Sequence, residues 1–136
     1  MLSLSASAMT TGGILLLTVI AIESGGYFLL ALVQGKVEKT DMQKAFSRAG
    51  HAHAGVLVIL ALVTQLYADA ADMEGFFGWW ARAGVPWAAI LMSAGFFLSV
   101  AHRDAQRPNR LIWLTYLGTV SLALGVGSLG VGLLAA

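Results

Sequence analysis

The sequence predicts an all-α integral membrane protein, an antiparallel bundle of four transmembrane helices whose N- and C-termini both lie outside. Of its 136 residues, 58% are hydrophobic and only 11% are charged, well below the roughly 25% typical of soluble domains. A helix needs about 20 apolar residues to cross a bilayer, and four stretches are long enough. They predict helices at about 12–34, 47–68, 80–102 and 110–135 within a single domain, residues 1–136.

The orientation of the bundle follows from its basic residues. Arg82 is the one basic residue near the second connection, and all the others flank the first and third connections. Because basic residues are retained on the cytoplasmic side, these two connections are expected inside and both termini outside. We therefore expect a multi-pass protein of the cell's inner or plasma membrane, with the lipid bilayer as its surroundings. The basic residues of the inner side are Lys36, Lys39, Lys44, Arg48, Arg103, Arg107 and Arg110.

Composition excludes several classes of function. The chain has no cysteine, which rules out disulfides, thiolate catalysis and haem attached through a Cys-x-x-Cys-His motif. Four spans use nearly all of the chain, so no soluble domain remains to act outside the membrane. The net charge of +1 indicates no particular partner, and no nucleic acid is expected. Whether the protein turns over a substrate stays open.

Small residues on the fourth helix predict a packing surface. They recur at steps of four and three, which places them along one face of the helix. In membranes, helices associate through close packing of such residues, so this face is expected to be a seam within the chain or between copies. The short connections favour an up-down-up-down bundle. The small residues are Gly118, Ser121, Gly125, Ser128 and Gly132.

Two further signals concern helix ends. Pro86 is expected in the first turn of the third helix, where its missing N–H costs little. Asn109 follows Pro108 and is expected to cap the start of the fourth helix. The third connection is therefore predicted to be a tight, basic turn.

Glu23 lies at the centre of the first apolar stretch. A charged side chain at this depth costs roughly 2.5–3.5 kcal/mol and generally requires protonation, a partner or a water-filled cavity. Tyr27 follows by four residues and shares its face, one turn nearer the cytoplasm. The pair Gly25 and Gly26 is expected to let a planar cofactor or another backbone approach. These residues predict a proton or polar path from the middle of the membrane to the inner side.

The three histidines are all expected towards the cytoplasmic side. His51 and His53 open the second helix and His102 closes the third, so the beginning of one and the end of the other share a depth. Two imidazoles at one level can ligate a b-type haem or a transition metal. His51 and His53 are about 200° apart around a helix, so only one of them can face such a site, and the deeper His53 is the better partner for His102.

Several functions remain open at this point. The leading hypothesis is a protein that binds haem b or a metal through His53 and His102, with Glu23 and Tyr27 managing a proton. The alternatives are a proton or small-solute transporter that acts as a homo-oligomer, and a structural or assembly subunit of a membrane complex that has no cofactor. In the last case Glu23 donates one interhelical hydrogen bond, and the histidines bond to phosphates or to free helix-end groups.

Two short resemblances accompany these hypotheses. The run from Arg48 through His51 and His53 to Gly55 resembles the His-x-His openings of helices in relatives of the haem-copper oxidases and in NnrS-type proteins. That resemblance implies at most a single haem or one ion, since His102 is the only further histidine. The size, the outside termini and the basic segment that opens the second helix are also similar to the MAPEG family. That likeness implies a glutathione-using membrane enzyme, although Gly55 and its neighbours supply neither the Asn nor the Glu expected there.

Overall fold

The structure of the protein, a computed structural model, describes residues 4–136. All regular structure in this part of the chain is helical, and four helices are long and apolar enough to cross a membrane. The predicted membrane bundle of four helices is therefore confirmed. Residues 1–3 of the predicted domain lie outside the described residues, and the orientation in the membrane stays a prediction. The helices are α1 (Ala6–Val33), α2 (Asp41–Ala70), α3 (Gly75–Ser99) and α4 (Trp113–Ala135), the last preceded by a 3-10 turn at Arg110–Ile112.

Helices that follow one another in the chain run antiparallel and pack side by side. On α1, Gly12 faces Leu62 of α2, whereas Gly25 faces His51. Residues later in α1 therefore contact residues earlier in α2, so the two helices run in opposite directions. Close contacts also join α3 and α4, so the bundle is built from three successive antiparallel pairs.

The core lies mainly between α2 and α3. Leu57 and Ala61 of α2 pack against Val85 and Met92 of α3, and α1 adds only Leu15 as a fully buried member. The first helix is the most apolar of the four and also the least buried. Most of its surface is therefore available to lipid or to another protein.

An open groove separates α1 from α3. Its outer part has a volume of about 320 Å³ and its deeper part about 280 Å³. Thr11 of α1 and both Pro86 and Ile90 of α3 line the two parts, which makes them one continuous groove. Since α1 does not close against α3, its position depends on α2 and on the polar contacts at its outer end.

The beginning of α2 holds the connection between α3 and α4. Thr40 and Gln43 form a capping box that satisfies free N–H groups of the first turn. The same two side chains also bond to the connection between α3 and α4. The Thr40 hydroxyl donates to the carbonyl of Ala105 at 2.6 Å. The Gln43 amide donates to the carbonyls of Val100 at 3.1 Å and His102 at 3.0 Å. We call this arrangement the inner clasp.

Asn109 completes the inner side of the bundle. Its side-chain oxygen accepts from the N–H of Leu111 at 2.8 Å, which caps the 3-10 turn before α4. Its side-chain amide donates to the carbonyl of Leu98 in the last turn of α3 at 3.2 Å, where carbonyls lack their usual helical partners. One residue thus joins the end of α3 to the start of α4.

The expectation for Pro86 was wrong, because α3 begins at Gly75 and the proline lies inside the helix. A proline within a helix removes the hydrogen bond to the carbonyl four residues earlier, here that of Arg82. The side-chain amide of Gln65 on α2 donates to this carbonyl at 2.8 Å. A partner from the neighbouring helix therefore replaces the missing backbone donor.

The pairing of Gln65 with the Arg82 carbonyl predicts a stability coupling. Gln65→Leu should lower the free energy of unfolding by about 1–3 kcal/mol, because it leaves a buried carbonyl without a donor. Pro86→Ala restores a backbone N–H at that position, so the same glutamine change should cost less in the alanine background. Unfolding in detergent of the wild type, both single variants and the double variant measures this coupling. Equal costs in the two backgrounds would contradict it.

Candidate functional site

Glu23 and Tyr27 lie side by side on the outer surface of α1. Both side chains are exposed, that of Tyr27 to 69%. Glu23 precedes the end of α1 at Val33 by ten residues, about 15 Å along the helix axis. This distance is half of the hydrocarbon thickness of about 30 Å. With the end of α1 taken as the inner edge of the hydrocarbon, the carboxylate is expected near the middle of the membrane, on the exposed surface of α1.

The carboxylate of Glu23 has no partner within residues 4–136. Three ion pairs occur in this part of the chain, and all of them join other residues. The neighbouring Ser24 hydroxyl donates to the carbonyl of Ala21 at 2.6 Å and so makes no bond to Glu23. Because an unpaired carboxylate in hydrocarbon is costly, Glu23 requires a proton, water or a group from another molecule.

His51 packs directly on the glycine pair of α1. A Cβ atom placed on Gly25 would lie 3.1 Å from Nδ1 of His51, and one placed on Gly26 would lie 3.7 Å from its Cε1. The two glycines therefore make room for an imidazole ring. The half-buried His51 thus lies between α1 and α2, at a depth between those of Glu23 and Tyr27.

His53 faces α3, because it lies about 200° from His51 around the axis of α2. Its Nδ1 lies 2.8 Å from the carbonyl oxygen of Ala49, and its ring centre lies 4.9 Å from that of Phe96 on α3. With Nδ1 held by a carbonyl, Nε2 remains for other contacts. This side chain lines a separate apolar groove of about 400 Å³ that also contains Met92.

The structure does not bring His102 to the level of His53. The third helix ends at Ser99, so the expectation that His102 closes this helix was wrong, and its side chain is exposed in the following connection. Its carbonyl accepts from Gln43, ten residues before His53 and so about 15 Å away along α2. The shared depth that suggested a bis-histidine site is therefore not observed, and the binding of haem or a metal by His53 and His102 stays a prediction. Within residues 4–136, no three His, Asp or Glu side chains cluster as metal ligands.

The small residues of α4 lie against α3. Gly118, Ser121 and Gly125 are buried, and the Ser121 hydroxyl donates to the carbonyl of Gly84 on α3 at 2.8 Å. A Cβ atom on Gly84 would lie 2.5 Å from Cα of Gly125, so the two backbones are in direct contact. Nearer the outer end, Gly132 packs against Met73, and Ser128 is half-buried. This seam is internal to the chain.

A polar cluster at the outer end joins three helices. Asp69 of α2 forms an ion pair with Arg82 of α3 at 2.7 Å, and its second oxygen accepts from the backbone N–H of Ser5 at 2.7 Å. Another N–H group of Arg82 donates to the carbonyl of Met73 at 2.5 Å. We call Ser5, Asp69 and Arg82 the outer clasp, because they fix the start of α1 to α2 and α3.

Sequence reasoning missed two of these arrangements. It gave His51 no neighbour on α1, although the glycine pair beside Glu23 was the signal that a bulky group packs there. It also treated Arg82 only as an orientation marker, although a lone basic residue near Asp69 in sequence indicated an ion pair. No protein-family model, no curated protein and no solved structure matches this chain.

The contact between Gly84 and Gly125 predicts a strong dependence on side-chain size. Gly125→Leu should lower the free energy of unfolding by about 1–3 kcal/mol or more, because overpacking forces the two helices apart. Gly127→Leu is the matched control, since nothing lies within 4 Å of a Cβ atom at that position. Unfolding of the two variants in detergent compares them. Equal stability would show that α3 and α4 do not meet at this glycine.

Proposed function

We propose that the protein handles protons in the plasma or inner membrane, and that Glu23 is the group that binds and releases the proton. The observation that carries this proposal is that Glu23, a carboxylate within the most apolar helix, is exposed and has no partner in the described chain. Ionisable residues inside membranes commonly mark proton or ion pathways. The function is proton conduction or proton-coupled transport by an assembly of several chains.

Tyr27 and His51 extend the polar region towards the inner side. Tyr27 lies four residues after Glu23 on the same face, about 6 Å along the axis. Its hydroxyl is a hydrogen-bond donor on the same face as the carboxylate. His51 occupies the same range of depth from the α2 side, against Gly25 and Gly26.

Further polar residues lie between His51 and the expected cytoplasmic surface. Three residues before His51 on α2 lies the exposed Arg48, and Lys44 lies one further turn away. Imidazole can take and give a proton at physiological pH, so His51 suits a position between a carboxylate in the membrane and water. In this proposal Glu23 exchanges its proton with the inner side through water next to Tyr27 and His51.

The exposure of Glu23 supports a path along the outside of α1 rather than through the bundle. The protein therefore works as an oligomer or together with a membrane partner that covers this surface. The competing role is structural, in which Glu23 stays protonated and donates one hydrogen bond to another chain, worth roughly 0.6–2 kcal/mol. Measurement of proton flux separates the two roles.

Proteoliposomes with an internal pH-sensitive dye provide the test. When a potassium diffusion potential drives protons, the wild type should acidify or alkalinise the interior at a rate above that of empty vesicles. Glu23→Gln keeps the size of the side chain but removes its titration, so flux should fall by about 100-fold, the scale of a positioned proton donor or acceptor. His51→Ala should reduce flux by a smaller factor.

The matched control is Glu38→Gln. Glu38 is an exposed carboxylate in the connection between α1 and α2, outside the membrane-spanning segments. Its replacement should leave the flux unchanged. Equal flux through the wild type and Glu23→Gln, or a wild type no faster than empty vesicles, would overturn the proposal.

A further inference from the structure

The exposed surface of α1 carries a regular stripe that includes both polar residues. Its members follow one another at alternating steps of four and three, the 3.5-residue period of a left-handed coiled-coil seam. All of them are exposed, and at Gly13 nothing lies within 4 Å of a Cβ atom. We call this surface the outer stripe, and it consists of Met9, Gly13, Leu16, Ile20, Glu23, Tyr27 and Leu30.

A second stripe with the same period is already used inside the chain. Ala8, Leu15, Ile22 and Leu32 are buried or half-buried and face the bundle. The first helix therefore has two coiled-coil faces, of which one packs against α2 and the other has no helix against it within residues 4–136. This explains why α1 is the least buried helix although it is the most apolar.

We propose that the outer stripe is a two-fold seam between two copies of this chain, which brings the two Glu23 side chains together. The membrane fixes every copy in the same orientation, so a two-fold axis must run along the membrane normal. Such an interface is self-complementary, and identical residues of the two α1 helices then meet at identical depths. Glu23 consequently meets Glu23 and Tyr27 of a second copy.

The chemistry of the stripe is complementary to itself. Two carboxyl groups at close range share one proton, because both cannot be charged at once. The protonated carboxyl then donates to the charged one, and each Tyr27 hydroxyl is a further donor. A single polar position within an apolar seam also fixes the register and the number of chains. Lipid offers no such partner, since hydrocarbon neither donates nor accepts hydrogen bonds.

The inference rests on the proposed function for the role of the shared proton, but the contact itself can be tested separately. In the assembled protein the proton-binding site consists of two Glu23 carboxyl groups rather than one. Neither chain alone contains a complete site. In this proposal the dimer completes the proton-binding site as well as packing the two α1 helices together.

Disulfide trapping tests the seam cleanly, because the natural chain has no cysteine. Leu16→Cys places a thiol on the outer stripe, and Leu17→Cys places one at nearly the same depth on the same helix but about 100° away. The two positions are similarly exposed, at 59% and 69%. A disulfide requires Cα atoms about 4.4–6.8 Å apart, so only facing positions can form one.

Native membranes that contain each variant are oxidised with copper phenanthroline and run on non-reducing gels. Most of the Leu16→Cys protein should form a covalent dimer, and Ile20→Cys, which also lies on the stripe, should do the same. Leu17→Cys and Val131→Cys, on the exposed surface of α4, should give only traces. No dimer from either stripe position, or equal yields from Leu16→Cys and Leu17→Cys, would overturn the seam.

The two proposals fail in different ways. Specific trapping at Leu16 together with equal flux through the wild type and Glu23→Gln would keep the seam and reject proton handling. The reverse combination, flux that depends on Glu23 with no trapping at the stripe, would reject the seam and leave the proposed function standing.

Discussion

In a bilayer, polar groups must find their partners within the protein, because lipid offers none. This constraint accounts for most of the polar contacts between the helices. Gln65 supplies the donor that Pro86 removes from the Arg82 carbonyl, and Ser121 donates to a carbonyl of α3. The inner clasp and Arg82 of the outer clasp likewise donate hydrogen bonds to backbone carbonyls of the connections. The buried Ser93 and Thr115 hydroxyls and the Gln65 side-chain oxygen lack a partner within the described chain. Glu23 also lacks one, and because it is a carboxylate, the proposed function and the proposed seam both follow from its position.

The helices of the bundle are not equally tightly packed, and α1 has the fewest contacts with the others. The contact between Gly84 and Gly125 brings α3 and α4 together with almost no side chain between them, and α2 closes the core against α3. The first helix instead packs mainly against α2, and its outer end is bonded to Asp69 of α2, which in turn pairs with Arg82 of α3. It therefore presents a long surface to the membrane, with Glu23 and Tyr27 at its centre.

The sequence was sufficient for the number and class of the helices, because hydropathy and length determine them. The first three helices begin five or six residues before their predicted starts, because their first turns are less apolar than the spans themselves. It also indicated the small-residue face of α4, since a period of 3.5 residues is visible without a structure. It could not give the rotation of α1, which is apolar on all sides except at a few positions. The choice of His51 rather than His53 as the neighbour of α1 depended on that rotation. The place of Pro86 was missed because Gly75, not the first continuous apolar run, begins α3.

The central claim is that Glu23 exchanges a proton near the middle of the membrane, and infrared difference spectroscopy tests it most directly. Spectra of wild-type membranes at a series of pH values are compared with those of Glu23→Gln. If Glu23 exchanges its proton, the wild type should show a carboxyl band that grows as the pH falls and is absent from the variant. A Glu23 carboxyl band that stays constant over the whole range would show a permanently protonated hydrogen-bond donor and would contradict proton exchange at Glu23.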